Sequence, residues 1–315
     1  MHVAAALCRR VLFFALFWAV APALHAHDPA EEMATAAQRL LDSLDESQRK
    51  LAHYEFSDKE RQNWHFVPDK FIQPDAKRYG LPLEKMTPDQ AALTHGLVGA
   101  ALSHKGYLTA MTVISLERVL HELENDNPIR NPALYYVTVF GTPGDAQAWA
   151  WRFEGHHLSI NVSIVGGKLF CVTPSFFGAN PAEIRSGPRQ GLRTLCDEED
   201  QGRALLLSLD ETQRSAAMLT SEAPADIITK EQRRAERSLF SPPQGVSAGQ
   251  LNERQRAALL KLMRTYAEKF RPELVEQIHE RTKLFELGEV YFAWAGGIER
   301  GQGHYYRVQT PKFLF

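Results

Sequence analysis

Cysteine is scarce: three in 315 residues, none spaced as C-x-x-C. A thiolate zinc centre is therefore disfavoured as an organising element. Cys8 precedes the N-terminal apolar run and is wrongly placed for lipid attachment. Cys171 and Cys196 are left, and both a disulfide in an oxidising compartment and two buried thiols fit their positions. Charge of one sign is also lacking, with 36 Lys and Arg against 38 Asp and Glu. No basic stretch supplies the footprint that nucleic acid requires. No G-x-G-x-x-G or P-loop follows a strand, so nucleotide binding has no fingerprint. The G-x-S-x-G elbow is missing too, and no Ser-His-Asp triad is assembled from motifs.

One long apolar run exists, Val11 to Leu24, behind Arg9-Arg10 and before the small residues around Ala23 and Ala26. Its length and flanks predict a signal peptide over residues 1–26; the alternative is an uncleaved anchor. The expectation is a periplasmic or secreted protein with no membrane span once this segment is removed.

With 44% hydrophobic residues, a substantial core is expected. Residues 27–315 read as a single α+β unit. Four helix starts carry an Asx or Thr cap with Gln three residues on, at Asp45, Thr87, Asp210 and Asn252. Cap and Gln can satisfy each other's backbone amides. Asp45 to Thr87 and Asp210 to Asn252 are both 42 residues apart, and Ser43–Arg49 nearly repeats as Ser208–Arg214. A second repetition joins Trp149–Glu154 with Gly155-His156 to Trp294–Glu299 with Gly303-His304. Together these predict two pseudo-repeated halves, about 30–190 and 195–315, each with helices followed by antiparallel strands in a mixed or antiparallel sheet.

Apolar periodicity places helices at 31–54, 89–103, 108–124, 197–218, 230–239, 252–268 and 272–283. Strands are expected at 135–140, 148–165, 169–173, 289–295 and 304–309, with Gly166-Gly167 as a hairpin turn. Within 148–165 the apolar positions change parity at Gly155, which predicts a β-bulge. The bulge would gather Arg152, Glu154, His157, Ser159 and Asn161 on one polar face. In the last strand Tyr305, Arg307 and Gln309 alternate with His304, Tyr306 and Val308 after a hairpin. If the halves pack about a pseudo-twofold, the two polar faces line one cleft.

Such a cleft assigns Glu154 and His157 to acid/base work. Arg152, Asn161, Tyr305, Arg307 and Gln309 would bind ligand, the arginines and Asn161 suiting an anion. A divalent transition metal is the cofactor the pattern allows, with His157 and His304 as its ligands. Against this stand plainer readings: His156 as a packed core histidine, Arg152–Glu154 as a solvated pair, and Trp149, Trp151 and Trp294 as core. His53, His65, His95, His104, His121 and His279 show no ligand spacing. Asn180-Pro181 with Glu183 resembles a helix start, with Arg185, Arg189 and Arg193 behind it as a second anion candidate.

Three stretches, Trp151–Ser159, Thr173–Pro181 and His304–Gln309, resemble the bacterial domain-of-unknown-function family numbered 3500. The resemblance spans nearly the whole chain after the first segment and implies one family unit, without an activity to carry over. It also implies a Glu-Tyr-Asp-Asn and a His-x-His segment beyond the His-Tyr-Tyr-Arg strand, where this chain stops at Phe315. The function expected is a secreted or periplasmic protein binding a small anionic ligand in a polar cleft, as a hydrolase-type or metal-assisted enzyme. The alternative is a non-catalytic binding or envelope-associated structural protein.

Overall fold

The computed structural model describes residues 28–144, 146–230, 232–234, 236, 241–282 and 286–315. The segment expected to be a signal peptide falls outside these residues, as does half of the helix expected at 230–239; the described residues of that stretch are turn or irregular backbone, not helix. The architecture is α+β. Helices α1 (Pro29–Ser43) and α2 (Glu46–Ala52) lead into strand β1 (His53–Tyr54). Strand β2 (Leu81–Pro82) precedes α3 (Pro88–Ala101) and α4 (His104–Leu123). Five strands follow: β3 (Tyr135–Phe140), β4 (Trp149–Gly155), β5 (Leu158–Val165), β6 (Lys168–Cys171) and β7 (Ser175–Phe177). The second half runs α5 (Cys196–Ser208), α6 (Glu211–Ala217), β8 (Met218–Thr220), β9 (Val246–Ser247), α7 (Glu253–Ala267), α8 (Pro272–Thr282), β10 (Tyr291–Gly296) and β11 (His304–Gln309).

The single helix expected over 31–54 is broken, and so is the one over 197–218. Leu44 and Leu209 turn extended, and Asp45 and Asp210 each start a new helix with a complete capping box. The cap wins because its side chain satisfies amides that a continuing helix would bond to its own carbonyls. The capping glutamines also join helices. Gln48 Nε2 donates to the Lys85 carbonyl and to Gln90, while Gln90 Nε2 donates to the Ser43 carbonyl. Gln213 and Gln255 repeat this with the carbonyls of Gln250 and Ser208.

A seven-stranded sheet has the order β1-β3-β4-β5-β6, with β2 also on β3 and β7 on β5. A four-stranded sheet has β11-β10-β8, with β9 also on β10. In both, the first short strand is parallel to its neighbour and the second antiparallel. By order and pairing, β10 therefore matches β3, and β11 matches β4. The correspondence drawn from Trp and Gly-His is offset by one strand. Trp294 lies in the counterpart of β3, and Gly303-His304 opens β11, whereas Gly155-His156 closes β4. Two residue patterns looked alike while occupying opposite ends of their strands.

Trp149, Trp151 and Trp294 are fully buried, as core residues. The cores do not divide at the midpoint of the chain. Phe270 and Leu274 of the second half pack in the first core with Val113 and Ile114 of α4. The α3–α4 and α7–α8 links meet there antiparallel: Ser103 N–H donates to the Lys269 carbonyl, and Arg271 N–H to that of Ala101. Ser103 also caps α4 through Gly106 N–H and donates its hydroxyl to the Glu268 carbonyl. Gly106 fits because it has no side chain; a Cβ there would lie 1.8 Å from the Lys269 oxygen. Among the described residues no helix is long and apolar enough to cross a membrane.

Gly106→Ala should separate the two links and destabilise the protein by at least about 1–3 kcal/mol. Urea unfolding measures it; an unchanged midpoint would mean that the links do not hold the halves together.

Candidate functional site

The change of parity at Gly155 is a tight hairpin, not a bulge. Gly155 pairs with Leu158 across a two-residue turn, His156-His157, with His157 at φ +59°. In such a turn the partner of an even-numbered residue is odd-numbered, so alternation inverts as it does at a bulge. Opposed residues share a face. One face carries Trp151, Phe153, Ile160 and Val162 toward the core. The other carries Arg152 opposite Asn161 and Glu154 opposite Ser159, with Thr138 and Tyr136 beside them on β3.

That polar face is enclosed, so neither an open cleft nor a solvated Arg152–Glu154 pair describes it. Glu154 is 0% exposed and Arg152 1%. The Glu154 carboxylate lies 3.1 Å from Arg78 Nη1 and 3.3 Å from Arg152 Nε, and accepts from the His65 N–H and the Ser159 hydroxyl, both at 3.0 Å. Asn161 donates to Ser159 and to the Pro174 carbonyl. Arg152 also holds Glu60 at 2.5 Å, and Arg78 holds Asp69 and the carbonyls of His65 and Val67. Asp69 accepts in turn from the Tyr136 hydroxyl. Burial raises the Glu60 carboxyl, and Arg152 opposes that shift. Burial, then Asp69, raises the Tyr136 hydroxyl. Glu154 is thus the centre of an ionic network that clamps the 58–78 segment onto the sheet.

The two turn histidines have different surroundings. His157 N–H donates to the Phe66 carbonyl and its own carbonyl accepts from Gly178, both at 2.7 Å. Its Nδ1 is buried without a hydrogen-bond partner among the described residues. Burial, then His156 and Arg130, pushes its imidazole down to about 3. His156, by contrast, is not a simply packed histidine. Its Nδ1 is 2.5 Å from the buried Glu117 carboxylate of α4. Arg130 Nη1 lies 3.2 Å from Nδ1 and 3.4 Å from Nε2 of the same ring. Glu124 grips Arg130 through Nε and Nη2 at 2.7–3.1 Å, and Arg130 holds the Glu124 carboxyl below its usual range. The Tyr135 hydroxyl donates to the His156 carbonyl. Arg130 also lines a surface groove of about 450 Å³ with Arg118, His121, Glu122, Pro128, Asn131 and Pro132.

The second polar face lies in the other sheet. Tyr305, Arg307 and Gln309 stand opposite Ala295, Ala293 and Tyr291. Arg307 is buried and donates to Gln244 at 3.0 Å. Tyr305 is raised by burial, with Arg307 working against it. His304 stacks on Trp294 at 4.8 Å and contacts the Gln302 carbonyl. The two faces belong to different sheets: residues of the 58–78 segment cover the first, and Gln244 meets Arg307 on the second. His157 and His304 sit in different sheets, and no three His, Cys, Asp or Glu side chains converge as a metal set among the described residues.

No helix follows Asn180. The 184–192 stretch closes a backbone loop, with Ile184 bonded to Leu192 and Gly191 to Ile184. Arg189 is held by Ser115, and Arg193 by Glu199 and Asp200. Cys171 and Cys196 are both free thiols. The sequence reading missed Glu117, Arg118 and Arg130, and set His121 aside. Glu117 had left a signal: with Val113 and Leu120 it occupies one helical stripe, an acid among apolar positions.

Compared with known families, the chain belongs to the one described as Protein of unknown function (DUF3500), which matches residues 26–315. No curated protein and no solved structure matches it.

Two outcomes follow from the network and the turn. Glu154→Gln leaves two buried guanidiniums facing a neutral amide, and should destabilise by about 3–5 kcal/mol in urea unfolding. A loss near zero would show that the clamp is dispensable. The second concerns pH. An imidazole held near 3 when folded and near 6.5 when unfolded makes the unfolded chain bind more protons between those values. Stability therefore falls as pH drops through that window, by at most about 1.4 kcal/mol per pH unit from this residue. His157→Asn, which tolerates the left-handed backbone, should flatten the curve there. Parallel curves for the two proteins would dissociate His157 from the acid sensitivity.

Proposed function

We propose that this protein binds a small anionic ligand in the groove beside Arg130, and that His156 is its proton-transfer group. The observation that carries the reading is one histidine in contact with a buried carboxylate and with an arginine that lines the groove. Glu117 fixes the ring and directs Nδ1 inward, as an orienting carboxylate does for a catalytic histidine. Arg130 lies against that ring and offers its remaining donors to an anion. The enclosure of Glu154 favours this site over the Glu154–His157 pair, whose polar atoms are committed to the clamp or buried in the turn. The acid/base role suits a hydrolase-type reaction in which the histidine activates water. We also propose a periplasmic or secreted setting, from the N-terminal segment, and a common origin for the two halves, from their shared element order and glutamine bridges.

One observation favours a structural alternative. The Glu117 and His156 side chains are only 3% and 10% exposed, as expected if they merely pin α4 to the hairpin.

Thermal shift with acetate, succinate and inorganic phosphate separates the two readings. At least one anion should raise the melting temperature of the wild type, and Arg130→Gln should abolish that rise. No rise with any of them, or a rise that survives Arg130→Gln, would overturn the binding site. If His156→Gln lowers stability without changing hydrolysis of a panel of simple esters, the histidine is structural.

A further inference from the structure

We infer that the groove selects a monocarboxylate with an apolar body over a phosphate monoester. The inference rests on the anion-binding reading and narrows its chemical class.

The charges that meet in the groove are few. Arg118 and Arg130 are the fixed cations, and Glu122 is a fixed anion of the same lining. Arg130 is already compensated, since Glu124 occupies its Nε–Nη2 edge. The buried Glu117 carboxylate is engaged by the His156 ring. His121 is turned to its own helix end, with Nδ1 on the Asn127 carbonyl and Nε2 3.5 Å from Asp126. Arg118 is exposed and has no ion pair among the described residues. Arg118 is thus the one lining arginine outside an ion pair among the described residues, and Glu122 is the carboxylate that stands against it.

A dianion placed there would meet Arg118 and the field of Glu122 and Glu124. The penalty of removing an ion from water rises steeply with its charge. A carboxylate brings one charge, and its planar pair of oxygens matches the guanidinium fork. Asn131 adds a neutral donor: its Oδ1 is used by the Ala133 N–H, leaving the side-chain amide N–H groups for a ligand. Pro128 and Pro132 present apolar rings, and a groove of about 450 Å³ holds a body much larger than acetate.

Benzoate and phenyl phosphate share an apolar body and differ in head-group charge, so calorimetric titration of both at neutral pH tests the inference. Benzoate should bind the full chain at least about tenfold more tightly, and Arg118→Gln, at an exposed position, should remove most of that affinity while circular dichroism stays unchanged. Phenyl phosphate binding equally or more tightly, with loss in Arg118→Gln, would overturn the monocarboxylate preference and leave the anion site standing. Binding of neither compound, or binding unchanged in both Arg118→Gln and Arg130→Gln, would overturn the site itself.

Discussion

A carboxylate with no exposed surface, set between two guanidiniums, is the constraint from which much of the first half follows. Glu154 draws Arg78 and Arg152 against the back of the large sheet, and those arginines hold Asp69, Glu60 and several backbone carbonyls of the 58–78 segment. A long irregular segment is thereby fastened by ion pairs as well as by its buried Trp64, Phe66 and Ile72. Such a cluster need not stabilise more than an apolar core of the same shape would. Its members are nonetheless interdependent, because each buried charge left alone would be costly. The same segment supplies the Phe66 carbonyl that receives His157 N–H, so the clamp also holds the turn that presents His156.

The second organising contact is the antiparallel meeting of the α3–α4 and α7–α8 links. The two helix–helix links bond to each other through backbone groups on both sides. Phe270 and Leu274 are thereby delivered into the first core, which the first half does not complete by itself. One consequence is that α4 is held from both sides, by the link at its start and by the large sheet. Glu117 and Arg118 lie on successive positions of that helix, one turned inward to His156 and the other outward to the groove. A fixed α4 therefore sets the distance between the buried dyad and the exposed cation.

The elements that were legible are those governed by neighbours in the chain. Capping boxes at Asp45, Thr87, Asp210 and Asn252 form as the spacing implied, and β3 and β11 fall where alternation placed them. The polar ladder of Arg152, Glu154, Ser159 and Asn161 was also readable, although a bulge was inferred where a hairpin exists, because both invert parity. The short strands β1, β2, β8 and β9 carry too few residues for any period. The Trp and Gly-His likeness misled, since composition matched at strand ends that pairing shows to be inequivalent.

What the sequence determined by itself was therefore the α+β class, the helix boundaries set by caps, the family, and the existence of a polar face on the Trp149–Val165 hairpin. Each depends on interactions within a few residues or on the pattern of a whole chain. Only the tertiary structure decided that this polar face is sealed by residues 58–78, and that Arg307 and Tyr305 belong to a different sheet. It alone brought Glu117 and Arg130 to His156, from 39 and 26 residues away. Burial and ion pairing depend on what lies opposite in space, and one strand's alternation carries no information about the segment that covers it.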